Sequence, residues 1–449
     1  MSAAKVTSEK PHAAGKRLLL LASKLGYQTR SFAETAHKLG ARVFFATDRC
    51  DRLDNPWGDS AIAARFEKPQ EAAAAILEAL PGLTGDSVDA VLALGDRPTV
   101  TAAYVARALG LPGNHPLAAM ACRSKLRQRE VFQAAGLPVP WFRAFPIRPA
   151  PEWALAGIHF PCVLKPLGLT ASQGVIRANA PQEFRAAVER IARLVESPEI
   201  AATREPGLDF FLAEGYIPGT EVAVEGLLDK GRLKLLAMFD KPERLEGPFF
   251  EETMYVTPPQ LSEDEQREIE RATGEAAQAL GLEHGPVHAE FRVNGQGVWP
   301  LEVSPRPIGG LCARALRFAA QETGEQVPLE ELLVRHALGL PGPDWPREKA
   351  ASGVMMIPVP ASGVLQEVEG QEAARAIPGI TELHITARIH DSIVVWPEGS
   401  SYLGFLFARG ESPGAVERAL REAQGKLRFR IAPRLPIMAD KTRRTSAGN

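Results

Sequence analysis

A chain of 449 residues is too long for one ordinary hydrophobic core, so two to four domains are expected. With 45% hydrophobic and 24% charged residues the composition is that of a soluble globular protein, and a net charge of −2 argues against a nucleic-acid or anionic-membrane partner. The apolar run Leu18–Ala22 is too short for a membrane span or a signal-peptide core, and Cys50, Cys122, Cys162 and Cys312 show neither zinc spacing nor a disulfide framework, which fits a reducing cytoplasm.

After a first dozen residues expected to fray, Arg17–Ala22 reads as a buried strand. A helix is predicted from about Ser31 to Leu39, a strand over Ala41–Thr47 closing on Asp48, and an alanine-rich helix over Ala72–Leu80. Asp89–Leu94 is a third strand, ending in Gly95-Asp96-Arg97-Pro98, and Thr101–Leu109 a helix. Strands alternating with helices predict a small open parallel sheet, whose ligands sit beyond the strand ends where Asp48 and Asp96 lie. Ser23-Lys24-Leu25-Gly26-Tyr27 follows the first strand in place of a dinucleotide-binding or Walker A glycine loop.

Arg123–Ala134 reads as a basic helix with Lys125 in its first turn, and a solvated lysine is the plain local interpretation. Phe160–Lys165 is a strand with a lysine at its end. Gly168-Leu-Thr-Ala-Ser-Gln-Gly174 follows, then a strand over Val175–Arg177. A glycine-bounded loop with hydroxyls beside a strand-end lysine can fold over phosphates, although many hairpin loops share this composition. Phe210–Tyr216, Glu221–Leu228 and Arg232–Phe239 are antiparallel-type strands, so a second domain has begun. Glu243–Pro259 carries little secondary-structure signal and reads as a functional or disordered loop. Ser262 with Glu265 forms a capping-box pattern ahead of a helix to Leu280, closed by Gly281.

His288–Gly310 reads H-A-E-F-R-V-N-G-Q-G-V-W-P-L-E-V-S-P-R-P-I-G-G, a hairpin around Asn294-Gly295-Gln296-Gly297. A three-residue loop over Gly295–Gly297 sets Glu290 directly opposite Glu302. It places Ala289, Phe291, Val293, Trp299, Leu301 and Val303 on one face. His288, Glu290, Arg292, Pro300, Glu302 and Ser304 share the other. Opposed carboxylates repel, and a divalent cation such as Mg²⁺ would compensate. The alternative is a hairpin whose polar face meets water. Arg306, followed by Gly309-Gly310, could reach a transferring phosphoryl group. Beyond it, Leu329–Leu338 is a helix and Gly339–Lys349 a linker. From Ala351 short strands and a helix near Pro413–Gln424 predict an α+β module of structural or lid character, and the last eight residues read as a tail.

Taken in order, these motifs resemble the ATP-grasp superfamily, specifically its carboxylate–amine ligases, and the C-terminal module resembles that of the L-amino-acid ligases. The resemblance rests on Arg123–Lys125, V-L-K-P with its glycine loop, A-E-G-Y-I-P-G-T-E-V-A-V-E-G and H-A-E-F…P-L-E-V-S-P-R-P. It implies an α/β and α+β architecture: an N-terminal open parallel α/β domain over 1–120, an ATP-grasp domain over 121–345 divided near 205, and a C-terminal α+β lid domain over 350–440. It further implies that Lys125, Lys165, Gly168, Ser172 and Gly174 meet the ATP phosphates. Glu214, Tyr216 and Ile217 would read the adenine edge and Glu221 the ribose. Glu290, Glu302 and Ser304 would bind Mg²⁺ or Mn²⁺, Ser304 standing where the family has asparagine, and Arg306 would steady the γ-phosphate and an acyl phosphate. Glu252, Tyr255, His288, Gly309 and Gly310 are candidate substrate contacts, Tyr255 standing where the family's dipeptide ligases have histidine. The implied activity is ATP-dependent joining of a small carboxylate, such as an amino acid, to an amine, in the cytoplasm; a homodimer would be ordinary for such enzymes. Alternatives are a purine-type enzyme resembling the formate-dependent phosphoribosylglycinamide formyltransferases, which share E-V-S-P-R-P, and a silent ATP-binding sensor.

Overall fold

In a computed structural model, which describes residues 13–23, 27–48, 61–148, 155, 157–320, 323–342 and 344–433, the first sheet is parallel, in the order Ala61–Ala63, Arg42–Thr47, Arg17–Ala22, Ala90–Leu94. Beyond Arg17 its strand Arg17–Ala22 is apolar, as a strand covered on both faces requires. Leu18 and Leu20 pack with Phe32 and Ala36 of helix Tyr27–Lys38, whereas Leu19 and Leu21 meet Ile76 and Leu80 of Pro69–Thr84 and Val105 of Thr99–Ala108. The helix expected to stop at Leu80 runs through Pro81 to Thr84, ending on Gly85 in a left-handed conformation. The segments Lys24–Gly26 and Cys50, and both expected tails, lie outside the described residues; Cys122, Cys162 and Cys312 are free and buried.

The single helix expected over Arg123–Ala134 is instead two, Pro116–Arg123 and Lys125–Ala134. They break at Ser124, whose backbone is extended and whose hydroxyl accepts from the Arg127 amide at 3.2 Å. That cap starts a new helix with Lys125 as its first residue. A four-stranded antiparallel sheet follows, in the order Phe142–Pro146, Phe210–Gly215, Cys162–Pro166, Ile176–Ala178. Helix Pro181–Val195, not anticipated, buries Phe184 and Ile191 against Phe145 and Phe211 of this sheet.

The largest sheet has eight antiparallel strands: Gly297–Ser304, Gly285–Asn294, Thr220–Asp229, Arg232–Asp240, Met254–Thr257, Ala351–Ile357, Gly404–Gly410 and Ile380–Ile385. Glu243–Pro259 is therefore not structureless. Its Met254–Thr257 is too short to show a period, yet it joins the central strands to those of the C-terminal third, so one sheet crosses the boundary expected near residue 345. Strand Gly404–Gly410 was also not anticipated, being buried on both faces and so lacking alternation. Helix Glu263–Leu280 covers the central strands through Ile269, Ala276 and Leu280. Its capping box is complete: Ser262 accepts from the Glu265 amide, and the Glu265 carboxylate accepts from the Ser262 amide at 2.9 Å. Ser262→Ala should cost about 1 kcal/mol in urea unfolding; a change below about 0.3 kcal/mol would show that the cap does not hold the helix. Among the described residues, no helix is long and apolar enough to cross a membrane.

Candidate active site

The hairpin pairs Glu290 with Glu302 as expected, but by a different route. The loop is the two residues Gly295 and Gln296, with Asn294 opposite Gly297. That shorter turn shifts the outer register by one, and a β-bulge between Glu290 and Phe291 restores it. The outer core face is therefore Val298 and Pro300, not Trp299 and Leu301. The bulge turns two successive carbonyls, of Pro300 and Leu301, toward one guanidinium, that of Arg129, at 3.2 and 3.0 Å.

A cleft with about 730 Å³ of empty space, part of it open solvent, lies beside the two carboxylates. Lys125, Lys165, Ser172, Glu214, Tyr216, Ile217, Glu221, Glu252, Glu290 and Glu302 all line it. Gly168 and Gly174 bound the loop behind its wall, and Ser304, Arg306, Tyr255, His288, Gly309 and Gly310 lie outside its lining. Val163, Leu169, Val175, Phe250 and Leu301 supply apolar walls around the polar groups.

The Glu214 carboxylate is already engaged by two cations. It is buried and bound by Arg129 at 2.7 Å and by Lys165 at 2.6 Å. Burial disfavours its charge, but Arg129 and Lys165 outweigh this and hold its pKa at about 2. Glu214 thus orients Lys165. Lys125, half-buried and pushed below its ordinary pKa by desolvation, donates to the Leu169 carbonyl at the start of the loop. Tyr216 accepts from Arg292 at 3.0 Å, with the Arg177 guanidinium 4.0 Å over its ring.

Lys241 carried no local signal, yet behind the cavity wall it joins three of the carboxylates that line it. Its ammonium lies 2.7 Å from Glu221, 2.8 Å from Glu252 and 3.2 Å from Glu290. It is 3% exposed. Burial works against its charge, and the three carboxylates prevail, raising its pKa well above the ordinary value. Arg292 holds the other Glu221 oxygen at 3.1 Å. Burial and the neighbouring Glu290 push Glu252 up to about 7. Glu290 itself is held below the usual carboxylate range: burial opposes this, while Lys241 and His288 impose it. His288 was a candidate substrate contact, but both its ring nitrogens are engaged, Nδ1 by Glu225 at 2.5 Å and Nε2 by Glu290 at 3.3 Å. It orients Glu290. Tyr255 donates to Glu252 at 2.5 Å.

Arg306 stands at the junction with the first domain, its guanidinium bound by Asp96 at 2.8 and 3.3 Å. Burial opposes ionisation of Asp96, but Arg306 holds it at about 2. The parallel sheet thus positions the arginine from the end of strand Ala90–Leu94.

The donors suit a hard cation. Glu290 and Glu302 face each other in register, Ser304 donates to Glu302 at 3.2 Å, and Glu221, Glu252 and Glu290 present oxygens within 4.8 Å of one another. An all-oxygen, carboxylate-rich set without histidine or cysteine sulfur matches Mg²⁺ or Mn²⁺.

Comparison with known proteins places the chain among families of related fold. Residues 33–113 match an ATP-grasp N-terminal domain, 158–315 an ATP-grasp domain and 355–432 the L-amino acid ligase C-terminal domain 2. An uncharacterized protein of Sinorhizobium fredii is 25% identical over 74% of this chain and 66% of its own length. The alanine–anticapsin ligase of Bacillus subtilis is 26% identical over 51% of this chain and 49% of its own. The chain thus spans half to two thirds of these relatives. The L-amino acid ligase of Bacillus licheniformis superposes with a TM-score of 0.75 at 24% identity, over 93% of this chain and 99% of that one.

Proposed function

Since the chain belongs to the ATP-grasp superfamily and carries an L-amino acid ligase C-terminal domain, we propose that it joins a small carboxylic acid, such as an amino acid, to an amine with conversion of ATP to ADP and phosphate. The observation that carries this is the facing pair Glu290 and Glu302 in one cavity with Lys125, Lys165 and the glycine loop. Groups that would hold a cation thus face groups that would hold phosphates.

In this mechanism the apolar walls and the Gly215–Ile217 backbone take the adenine, and Glu221 retains lone pairs for the ribose hydroxyls. Lys125, Lys165 and the amides of loop 168–174 bind the phosphates. Glu290, Glu302 and Ser304 would hold Mg²⁺ or Mn²⁺, which when bound neutralises phosphate charge. Arg306, fixed by Asp96, stabilises the charge of the transferring phosphoryl group, while Glu252, bonded by Tyr255, and the Gly309-Gly310 turn would hold the acid and the amine. The substrate carboxylate attacks the γ-phosphorus, ADP leaves, and the amine displaces phosphate from the acyl carbon and loses a proton. The protein contributes position and charge, with no covalent step of its own.

The test is ADP and phosphate release across amino acids and small acids, singly and paired with amines. Release that requires one acid and one amine, with an amide formed, supports the ligase. Release confined to phosphoribosyl amines would replace it with the purine-type reading. Nucleotide binding with no ADP from any mixture would make the protein a sensor.

A further inference from the structure

The C-terminal third, expected to be of structural or lid character, sends one segment onto the loop that bounds the site. The Pro397 carbonyl accepts from the Gly174 amide at 2.8 Å, and the Glu398 carbonyl accepts from the Gln173 side-chain amide at 2.6 Å. The Glu398 carboxylate pairs with both Nε and Nη2 of Arg190, the latter at 2.8 Å. All of these contacts fall on the closing end of the phosphate loop or on the helix behind it. The same segment also reaches the substrate side. Trp396 stacks on Tyr402 at 4.9 Å, and the Tyr402 hydroxyl donates to the Glu252 carbonyl at 2.7 Å. Phe405 lies so close to Gly310 that a Cβ there would come within 3.1 Å of its ring.

The loop needs such support. Ala171 and Ser172 both have φ of 54°, a left-handed conformation that non-glycine residues seldom adopt and that persists only where surroundings impose it. At the far end Gly174 has φ of 73°, and a Cβ would meet Pro166 at 2.8 Å, so the turn admits no side chain. The Arg190–Glu398 pair leaves its side chains 36% and 32% exposed. Exposed pairs contribute little to global stability. A bidentate pair at this place is suited to holding a movable loop.

We propose that residues 396–398 latch the phosphate loop shut, with Glu398, Arg190 and Gln173 as positioning residues that keep water from the acyl phosphate until the amine has reacted. The inference rests on the ligase reading and assigns a regulatory part to the C-terminal domain. With the latch open, water takes the amine's place: the acyl carbon–oxygen bond to phosphate breaks, giving free acid, inorganic phosphate and a proton, so that ATP is spent without product.

Two measurements test it. The first is hydrogen exchange of peptides covering 168–174 with Mg²⁺ and the non-hydrolysable analogue AMP-PNP, which reads the Gly174 amide directly. Glu398→Gln and Gln173→Ala should accelerate exchange by about fivefold or more, and the charge swap Arg190→Glu with Glu398→Arg should restore protection. The second is ADP formed per amide. It should rise from about one to about three or more in Glu398→Gln and return in the swap, a change a merely structural role would not produce. Unchanged exchange in both single variants overturns the latch, as does an ADP-to-amide ratio that stays near one while turnover falls. If the wild-type protein forms no ADP with any acid, the ligase reading fails, and the exchange result alone decides the latch.

Discussion

Lys241→Ala is expected to lower the free energy of unfolding by about 3–5 kcal/mol, and millimolar Mg²⁺ to return part of the loss. The ammonium is the shared partner of Glu221, Glu252 and Glu290, all within 3.2 Å of it. Removing it leaves three carboxylates together at the wall of the cavity, with Arg292 and His288 as the remaining cations beside them. Those three present oxygens close enough to share one divalent ion, so Mg²⁺ can take over the role of the missing ammonium. The pH dependence follows from the sign of the shift. Lys241 has its pKa raised above 10.5, so its contribution is fully present below that pH and is lost only as pH climbs past the raised value. Lys241 itself stays charged through the neutral range, but Glu252, pushed up to about 7, protonates within it, so the loss should be smaller below about pH 7 and grow as pH rises through that value. Urea unfolding of both proteins with and without Mg²⁺ measures it. A variant as stable as wild type, or one indifferent to Mg²⁺, would show that the three carboxylates do not act as one site.

Glu302→Gln should reduce phosphate release by about 10²–10³-fold and leave thermal stability unchanged or slightly raised. Glu302 accepts only from Ser304 among the described side-chain hydrogen bonds and faces Glu290 directly, so losing its charge removes a repulsion and no ion pair. Its negative charge also favours the charged forms of Lys125 and Arg306, neither of which it pairs with directly. Glu290→Gln should impair turnover equally but also destabilise, because that carboxylate serves Lys241 and His288. Paired turnover and melting measurements separate the two. A Glu302→Gln protein that keeps more than about a tenth of wild-type turnover would remove Glu302 from the metal site.

Much of the architecture was written in local chemistry. Period-two alternation and the glycine-rich turn marked the central hairpin and put Glu290 across from Glu302; Ser262 with Glu265 and Gly281 delimited the long helix, and alternating strands and helices predicted the parallel sheet. Such signals are legible because a turn, a cap or a pleat is decided by residues within a few positions of one another. Even there one detail escaped: turn length set the outer register, and only the bulge, stabilised by two carbonyls on Arg129, brought the carboxylates back into line.

The partners of the charged groups were decided by the tertiary structure. Arg129 meets Glu214 across 85 positions, Arg306 meets Asp96 across 210 and Arg190 meets Glu398 across 208. A lone basic residue on a helix or strand looks solvated until the fold removes its water, and only then does it require a carboxylate. Lys241 is the clearest case: nothing beside it in the chain announces a role, and three carboxylates from three separate strands or loops converge on it. By itself the sequence determined where the central hairpin lies, how the long helix is capped and that Glu290 opposes Glu302, while the turn length and the apolar face of the hairpin's outer end were set by the fold. Which cation each one holds, and that the last third of the chain shares a sheet with the site and closes on its loop, were decided by packing, since periodicity specifies a face but not what that face will meet.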